Sequence, residues 1–359
     1  MIIRIFCLLT AFLFLFIPVT YGQINVNDFG FSGQFFLSYD HISTEGEVSN
    51  EFILKRGYIT FRRDIHERIS VRFTQDVTID QEGDGEGDIE LRLKYALVNL
   101  TLNDLSIIRN PRAEVGVISR PWVDFEQSIN DFRSQESMFL DNNKILVSAD
   151  YGVSLSADLG DALGEEERES IGSDGGRYGS FHFGVYNGGG YSALEKNRNK
   201  VVEGRLTLRP LPYALPGLQT SFFGSYGRGN IPESPDFTLT GSGISYESSR
   251  WTTLLQGFWG EGDSAGLLVD EDMVALPIYG WSFFHELKPF SIPVSLLGRY
   301  DNITHRESGE LAVQEFLGGV AYTFPNSSKI ILSYKNREDG VPFGDAGSHA
   351  FSVITEIRF

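Results

Sequence analysis

The residues with most chemistry to offer are charged groups spaced two apart. Around residues 51–63, Arg56, Tyr58, Thr60 and Arg62 share one face, opposite Ile59 and Phe61. The same alternation puts Arg72, Arg92, Lys94, Arg205, Arg209, Arg299, Lys335 and Arg337 on polar faces. An arginine stays charged and presents a planar set of donors that suits phosphate or carboxylate. A column of such bases along a wet wall would guide anions. The acids Asp76, Glu203, Asp301 and Glu356 also fall on polar faces, so each base has the alternative of pairing internally. A second group lies between Pro121 and Lys144. Asp124, Glu126, Asp131, Glu136 and Asp141 stand there against only Arg133 and Lys144, with Phe125, Phe132, Met138 and Phe139 available to pack the segment against a wall. Folded into a lumen, such a segment sets its width and charge. Left outside, it would cap the opening or touch a neighbouring subunit.

Other chemistries find less support. A single cysteine, Cys7, excludes cysteine-built zinc or iron–sulfur sites and any disulfide within the chain. The acidic stretch Asp80 to Asp88 does not meet EF-hand spacing. Like Asp263, Asp270, Glu271 and Asp272, it reads as solvated, or as bridged by divalent cations to lipopolysaccharide. His182 reads as a lumen residue and not as a ligand, so no metal and no cofactor is expected. A barrel lipase would need a Ser–His–acid set on the outer wall. His285 and His349 qualify by type alone and no serine stands in a recognisable context, so the expectation is of a protein that is not an enzyme.

These residues must be positioned by something. The 359 residues carry a net charge of −18, too acidic for a nucleic-acid partner, which requires a basic footprint. Residues 1–22 read as a cleaved secretory signal peptide: Arg4 precedes an apolar stretch from Ile5 to Pro18, with small Thr20 and Gly22 before the cut. Cys7 lies inside that segment, and its removal with Arg4 leaves 29 bases against 48 acids.

Residues 23–359 read as strands throughout. Val71, Phe73 and Gln75 alternate with Arg72, Thr74 and Asp76; Phe351, Val353, Thr355, Ile357 and Phe359 alternate with Ser352, Ile354, Glu356 and Arg358. Sixteen such runs are found, from 30–41 and 51–63 to 328–337 and 347–359. The predicted fold class is all-β: a transmembrane antiparallel β-barrel of about sixteen strands, apolar outside and polar within, in the bacterial outer membrane. If both termini are periplasmic, odd connections should be longer. The stretches 42–50, 81–90, 121–144, 188–199, 261–275, 303–310 and 338–346 agree, and the third is the expected inward loop. Leu159 to Arg177 is the exception, long on an even connection: either a long periplasmic turn or a miscounted strand. Tyr39, Trp122, Tyr151, Trp251, Trp259, Trp281, Tyr322 and Phe324 sit near run ends, as interfacial girdles do. The terminal Phe359 is similar to the signal read by the barrel-assembly machinery.

Several stretches resemble the phosphate-selective porin O and P family: Phe52 to Phe61 (FILKRGYITF), Leu93 to Val98 (LKYALV), Glu114 to Trp122 (EVGVISRPW) with Phe125 to Ser128 (FEQS), Phe183 to Gly188 (FGVYNG) with Val201 to Arg205 (VVEGR) and Arg209 to Leu211 (RPL), and Gly318 to Asn326 (GGVAYTFPN) with Ser333 to Lys335 (SYK). The resemblance spans most of the mature chain and implies a sixteen-stranded, usually trimeric channel. It implies an anion preference with lysine-rich cavities, whereas this chain has eight lysines and no basic loop. The expected function is a passive outer-membrane porin for small hydrophilic solutes and ions, anions such as phosphate among them. A non-conducting receptor or adhesin barrel is the alternative.

Overall fold

The computed structural model describes residues 29–80, 85–173, 175–289, 292–344 and 346–359. The expected signal peptide, and 81–84 of the acidic stretch, lie outside the described residues. The sixteen strands are β1 (Gly30–Thr44), β2 (Glu47–His66), β3 (Ile69–Ile79), β4 (Ile89–Thr101), β5 (Ile108–Ser119), β6 (Ala149–Leu159), β7 (Gly179–Tyr186), β8 (Val201–Leu208), β9 (Leu218–Arg228), β10 (Asp236–Glu247), β11 (Trp251–Glu261), β12 (Pro277–Leu287), β13 (Val294–His305), β14 (Leu311–Thr323), β15 (Lys329–Asp339) and β16 (Gly347–Arg358). Every strand pairs antiparallel with its sequence neighbours, and β1 pairs with β16 from Gln34↔Arg358 to Thr44↔Ser348, so the sheet closes on itself. The chain is a closed sixteen-stranded antiparallel barrel.

Alternation supplies the two faces. On β8, Glu203, Arg205 and Thr207 are buried inside while Val202, Leu206 and Leu208 are exposed outside. Ile244, Leu255, Trp259, Trp281 and Phe283 extend the apolar outer band over β10 to β12. The barrel seam is sealed by Phe359, which stacks on Phe35 at 6.1 Å between ring centroids. Gly33 makes the seat for that ring, since a Cβ there would lie 2.2 Å from it.

Two connections differ from expectation. Residues 42–50 are not a loop: β1 and β2 continue through them to a two-residue turn, Glu45-Gly46, both at positive φ (51° and 91°). Such a turn matches the twist of the flanking strands. The polar composition that suggested a loop reflects strands rising beyond the apolar band. Among the described residues of 159–177 there is no missed strand. They form a long turn at the end of the barrel that carries the termini, with a short helix (Glu165–Arg168) and buried Leu163 and Ile171. Gly172 and Ser173 donate their backbone N–H groups to Glu247 Oε1 of β10, at 2.9 and 3.1 Å, drawing the turn across the mouth.

Candidate functional site

The connection after β5 runs into the barrel. Pro121 opens α1 (Pro121–Ile129), where its missing N–H costs nothing. A second short helix, α2 (Phe139–Asn142), follows. The inner wall explains the inward course. From β8 to β16 it is apolar at this level, with Val201, Phe223, Leu239, Leu254, Phe258, Phe284, Leu297, Ile331 and Ile354 facing in. Trp122, Val123, Phe125, Ile129, Phe132, Met138, Phe139 and Leu140 of the loop cover that wall, giving a hydrophobic core inside the barrel. Trp122, expected at an interfacial girdle, is instead fully buried here. Its ring stacks on Phe223 at 3.8 Å, and its Nε1–H donates to Gln256 Oε1 at 2.9 Å.

Polar anchors hold the loop to the same wall. At its root, buried Arg120 donates to Glu203 at 2.6 Å, lies 3.5 Å from Asp150 and stacks on Tyr186. Asp131 meets Lys329 at 2.7 Å and Arg358 at 2.6 Å. Burial pushes its carboxyl up, but those two cations outweigh that and hold it below the usual range. Glu136 meets Lys335 at 2.9 Å; against burial, Lys335 and Lys55 hold it at about 2. Ser134 donates to Glu356, Gln135 to Ser333 and Asn142 to Glu315. Glu126 faces the wall and accepts from Gln256 Nε2 at 2.6 Å and from the Phe139 N–H at 3.1 Å. Burial pushes this carboxyl up to about 7.

What remains open lies on the opposite side. A cavity of about 390 Å³ separates the loop edge (Asp124, Gln127, Asn130, Asp131, Arg133) from the β2–β4 wall (Tyr58, Thr60, Arg62, Arg72, Thr74, Lys94, Tyr95). A smaller cavity of about 190 Å³ shares Arg72 and Asp124 with it. Lys94 borders the larger cavity. Its Nζ donates to Ser148 Oγ at 2.8 Å and stands 5.2 Å from the Tyr58 ring and 5.1 Å from that of Tyr191. Tyr191 comes from the connection after β7 and donates its hydroxyl to Asp76 at 2.8 Å, and burial raises its phenol. Asp76 also takes Arg56 and Arg92, each at 3.0 Å.

The expected lumen bases therefore divide. Arg62, Arg72 and Lys94 line the larger cavity, and Arg205 lines the smaller. Arg56 and Arg92 are drawn to Asp76, Arg299 to Asp301, and Lys335 to Glu136. Arg209 lies against the carbonyls of Gly176 and Pro216 at the terminal end. Of the expected constriction residues, Asp124 and Arg133 border the larger cavity, while Glu126 and Glu136 are turned to the wall and Asp131 borders the cavity while holding the wall's cations. His285 is hydrogen-bonded to Thr253. Alternation misses Lys55. A register shift opposite Phe36/Leu37 places it beside Arg56 on the inside, where its Nζ holds the Ser134 and Gln135 carbonyls at 3.2 and 3.0 Å. A second shift, at Thr74/Gln75, sets Lys94 and Tyr95 inward together. Arg120, Tyr191, Lys329 and Arg358 were also not among the expected site residues. Arg120 and Tyr191 lie outside any strand, where no periodicity reports on them.

No protein-family model and no curated protein sequence matches the chain. Solved structures do. The chain is similar to the anion-selective porin from Comamonas acidovorans (TM-score 0.62, 10% identity, 92% of this chain and 99% of that one). It is similar to OmpF of Salmonella typhi, solved in complex with daunomycin (0.63, 12%, 93% and 100%), and to OmpT of Vibrio cholerae (0.60, 9%, 94% and 100%). The likeness at these identities is one of fold: a closed sixteen-stranded barrel of the kind found in outer-membrane proteins.

Proposed function

We propose that the chain is a passive bacterial outer-membrane channel for small hydrophilic solutes, with a preference for anions. The observation that carries this is the polar strip of lumen left between the inward loop and the β2–β4 wall. A channel's chemistry is the width of its lumen and the charge on it. Here Arg62, Arg72, Lys94 and Arg133 border the strip against Asp124, with Asp131 engaged by Lys329 and Arg358. The Comamonas porin is itself anion-selective, in keeping with this. Phosphate as the solute, and membership of the phosphate-selective O and P family, are the finer part of the proposal. So are export through a signal peptide at 1–22, assembly as a homotrimer amid lipid and lipopolysaccharide, insertion through the barrel-assembly machinery reading Phe359, and the absence of a catalytic step.

One observation favours the alternative, a non-conducting receptor or adhesin. Tyr191, from the connection after β7, donates to Asp76 of β3 and borders Lys94, covering part of the lumen wall. Planar-bilayer conductance under a salt gradient tests both readings. The expected result is discrete conductance steps with a reversal potential of anion-selective sign. Absence of any step in wild type and in Tyr191→Ala alike would overturn the channel reading in favour of the receptor.

A further inference from the structure

Most lumen charges are neutralised where they stand. Arg56 and Arg92 share Asp76, Arg299 lies on Asp301, and Arg337 takes both Glu315 and Asp339. The cavity of about 190 Å³ beneath α1 is different. It is lined by three bases, Arg72, Arg112 and Arg205, and three acids, Glu114, Asp124 and Asp158. Among the described residues, Arg72, Arg112, Glu114 and Asp158 make no ion pair within 4.0 Å. Arg72 and Arg112, of one sign, and Glu114 and Asp158, of the other, thus border one small space without cancelling in contact. We propose that this cavity binds small zwitterions of amino-acid size, the carboxylate directed to the arginines and the ammonium to the acids. The proposal rests on the channel reading, because the solute arrives through the adjoining lumen.

The groups are held ready. Arg205 donates to Ser180 Oγ at 3.0 Å and Thr207 Oγ1 at 2.7 Å, with its guanidinium 4.3 Å over the Phe125 ring of α1. Arg72 donates from Nε to Thr74 at 3.2 Å and lies 4.0 Å over the Tyr95 ring. Asp158 accepts from Asn110 at 3.0 Å, which leaves further acceptor capacity. Fixed guanidinium planes suit a carboxylate at little ordering cost. His182, 6% exposed, lines the same cavity with an Nε2 that has no hydrogen-bond partner. A buried polar atom left so is costly until something pairs with it. An ion of one sign would meet as many like charges as opposite ones. A molecule carrying both signs a few bonds apart meets each with its complement.

Binding of L-alanine to the detergent-purified full chain at low salt, by equilibrium dialysis, tests the proposal against acetate and methylammonium at equal concentration. Alanine should bind at least tenfold more tightly than either single ion. Arg112→Gln and Glu114→Gln should each weaken alanine at least tenfold, with folding of each variant checked by heat-modifiable gel mobility. The wild-type ranking of the three probes stands even if a variant fails to fold. Acetate equal to alanine, with Glu114→Gln silent, would leave an anion site only and overturn the proposal, as would no alanine binding at all. Bilayer conductance of the same preparations keeps the two readings apart. Conduction without alanine binding defeats the zwitterion site alone, and alanine binding without conduction defeats the channel alone.

Discussion

Glu126 gives the sharpest perturbation. It is 2% exposed, and its Oε2 has no hydrogen-bond partner. Burial is the largest influence on it and raises its pKa, opposed by Arg299 and by hydrogen bonds from Phe139 and Gln256 and assisted by Asp301. The result is a carboxyl at about 7 in place of the ordinary 4.5. In the folded protein it therefore holds its proton between those values, while the unfolded chain releases it. Stability must fall as pH rises from 4.5 to 7, by about 3 kcal/mol in all at 1.36 kcal/mol per pH unit. Glu126→Gln removes this dependence. Its carbonyl oxygen still accepts from both donors, and its buried –NH₂ adds a pH-independent cost of roughly 1–3 kcal/mol. Unfolding of both proteins in the same detergent from pH 4 to 9 isolates the effect, because every other titration is common to the two. The variant should gain about 3 kcal/mol on wild type across that range, most of it between pH 5 and 8. A difference that stays flat with pH, or a wild type that gains on the variant as pH rises, refutes the reasoning.

Other substitutions probe the anchor, the path and the seam. Arg120→Met leaves Glu203 and Asp150 buried without their cation, and should cost about 3–5 kcal/mol in thermal unfolding. Adding Glu203→Gln to it should restore part of that loss, and a loss below 1 kcal/mol would dismiss the anchor. Arg62→Glu reverses a charge on the larger cavity; a unit charge about 7 Å from an ion in water is worth roughly 0.6 kcal/mol, so reversal raises the energy of a passing anion by about 1.2 kcal/mol. A passing cation gains the same amount, so the anion-to-cation permeability ratio should fall by up to roughly fiftyfold in reversal-potential measurements, and an unchanged ratio would take Arg62 off the path. Phe359→Ala empties the seat on Gly33, and the amount of protein in the outer membrane of cells should drop far more than its refolding yield in detergent. Equal losses in both would make Phe359 a packing residue alone.

The strands were legible because a barrel wall imposes a period of two on each of them, and sixteen alternating runs match sixteen strands. The lumen was legible only where that period runs unbroken. Lys55 and Lys94 sit at register shifts, where one extra residue turns two neighbours inward, and no pattern of apolar residues marks the spot. Which bases face the open space depends on which acids face them, so Arg56 and Arg62, three repeats of the pleat apart, have different fates. Arg56 stands within reach of Asp76 and Arg62 has no acid opposite, its β3 neighbour being Arg72. The loop's inward course was readable from its aromatics, but its side was not. That side is set by residues such as Phe223, Phe258 and Phe284, which break the polar inner face of strands far away in sequence.

That apolar inner wall changes what the net charge means. A barrel filled on one side by its own hydrophobic core leaves water only along the other, so in the proposed channel only residues on that other side act on a solute. The larger cavity is bordered by Arg62, Arg72, Lys94, Arg133 and Arg358 against Asp124 and Asp131. Meanwhile Glu45, Glu47, Glu51, Glu165, Glu166, Glu169, Asp270, Glu271 and Asp272 are exposed at the ends of the barrel. Charges at the ends act across water and are screened within about 10 Å at 0.1 M salt, whereas charges beside a narrow path between low-dielectric walls are screened far less. In the proposed channel, the chain's −18 therefore governs what gathers at the mouths, and the local excess of bases governs what passes. Raising ionic strength should weaken the first influence before the second, so anion preference should persist at salt concentrations that abolish any attraction of cations to the surface.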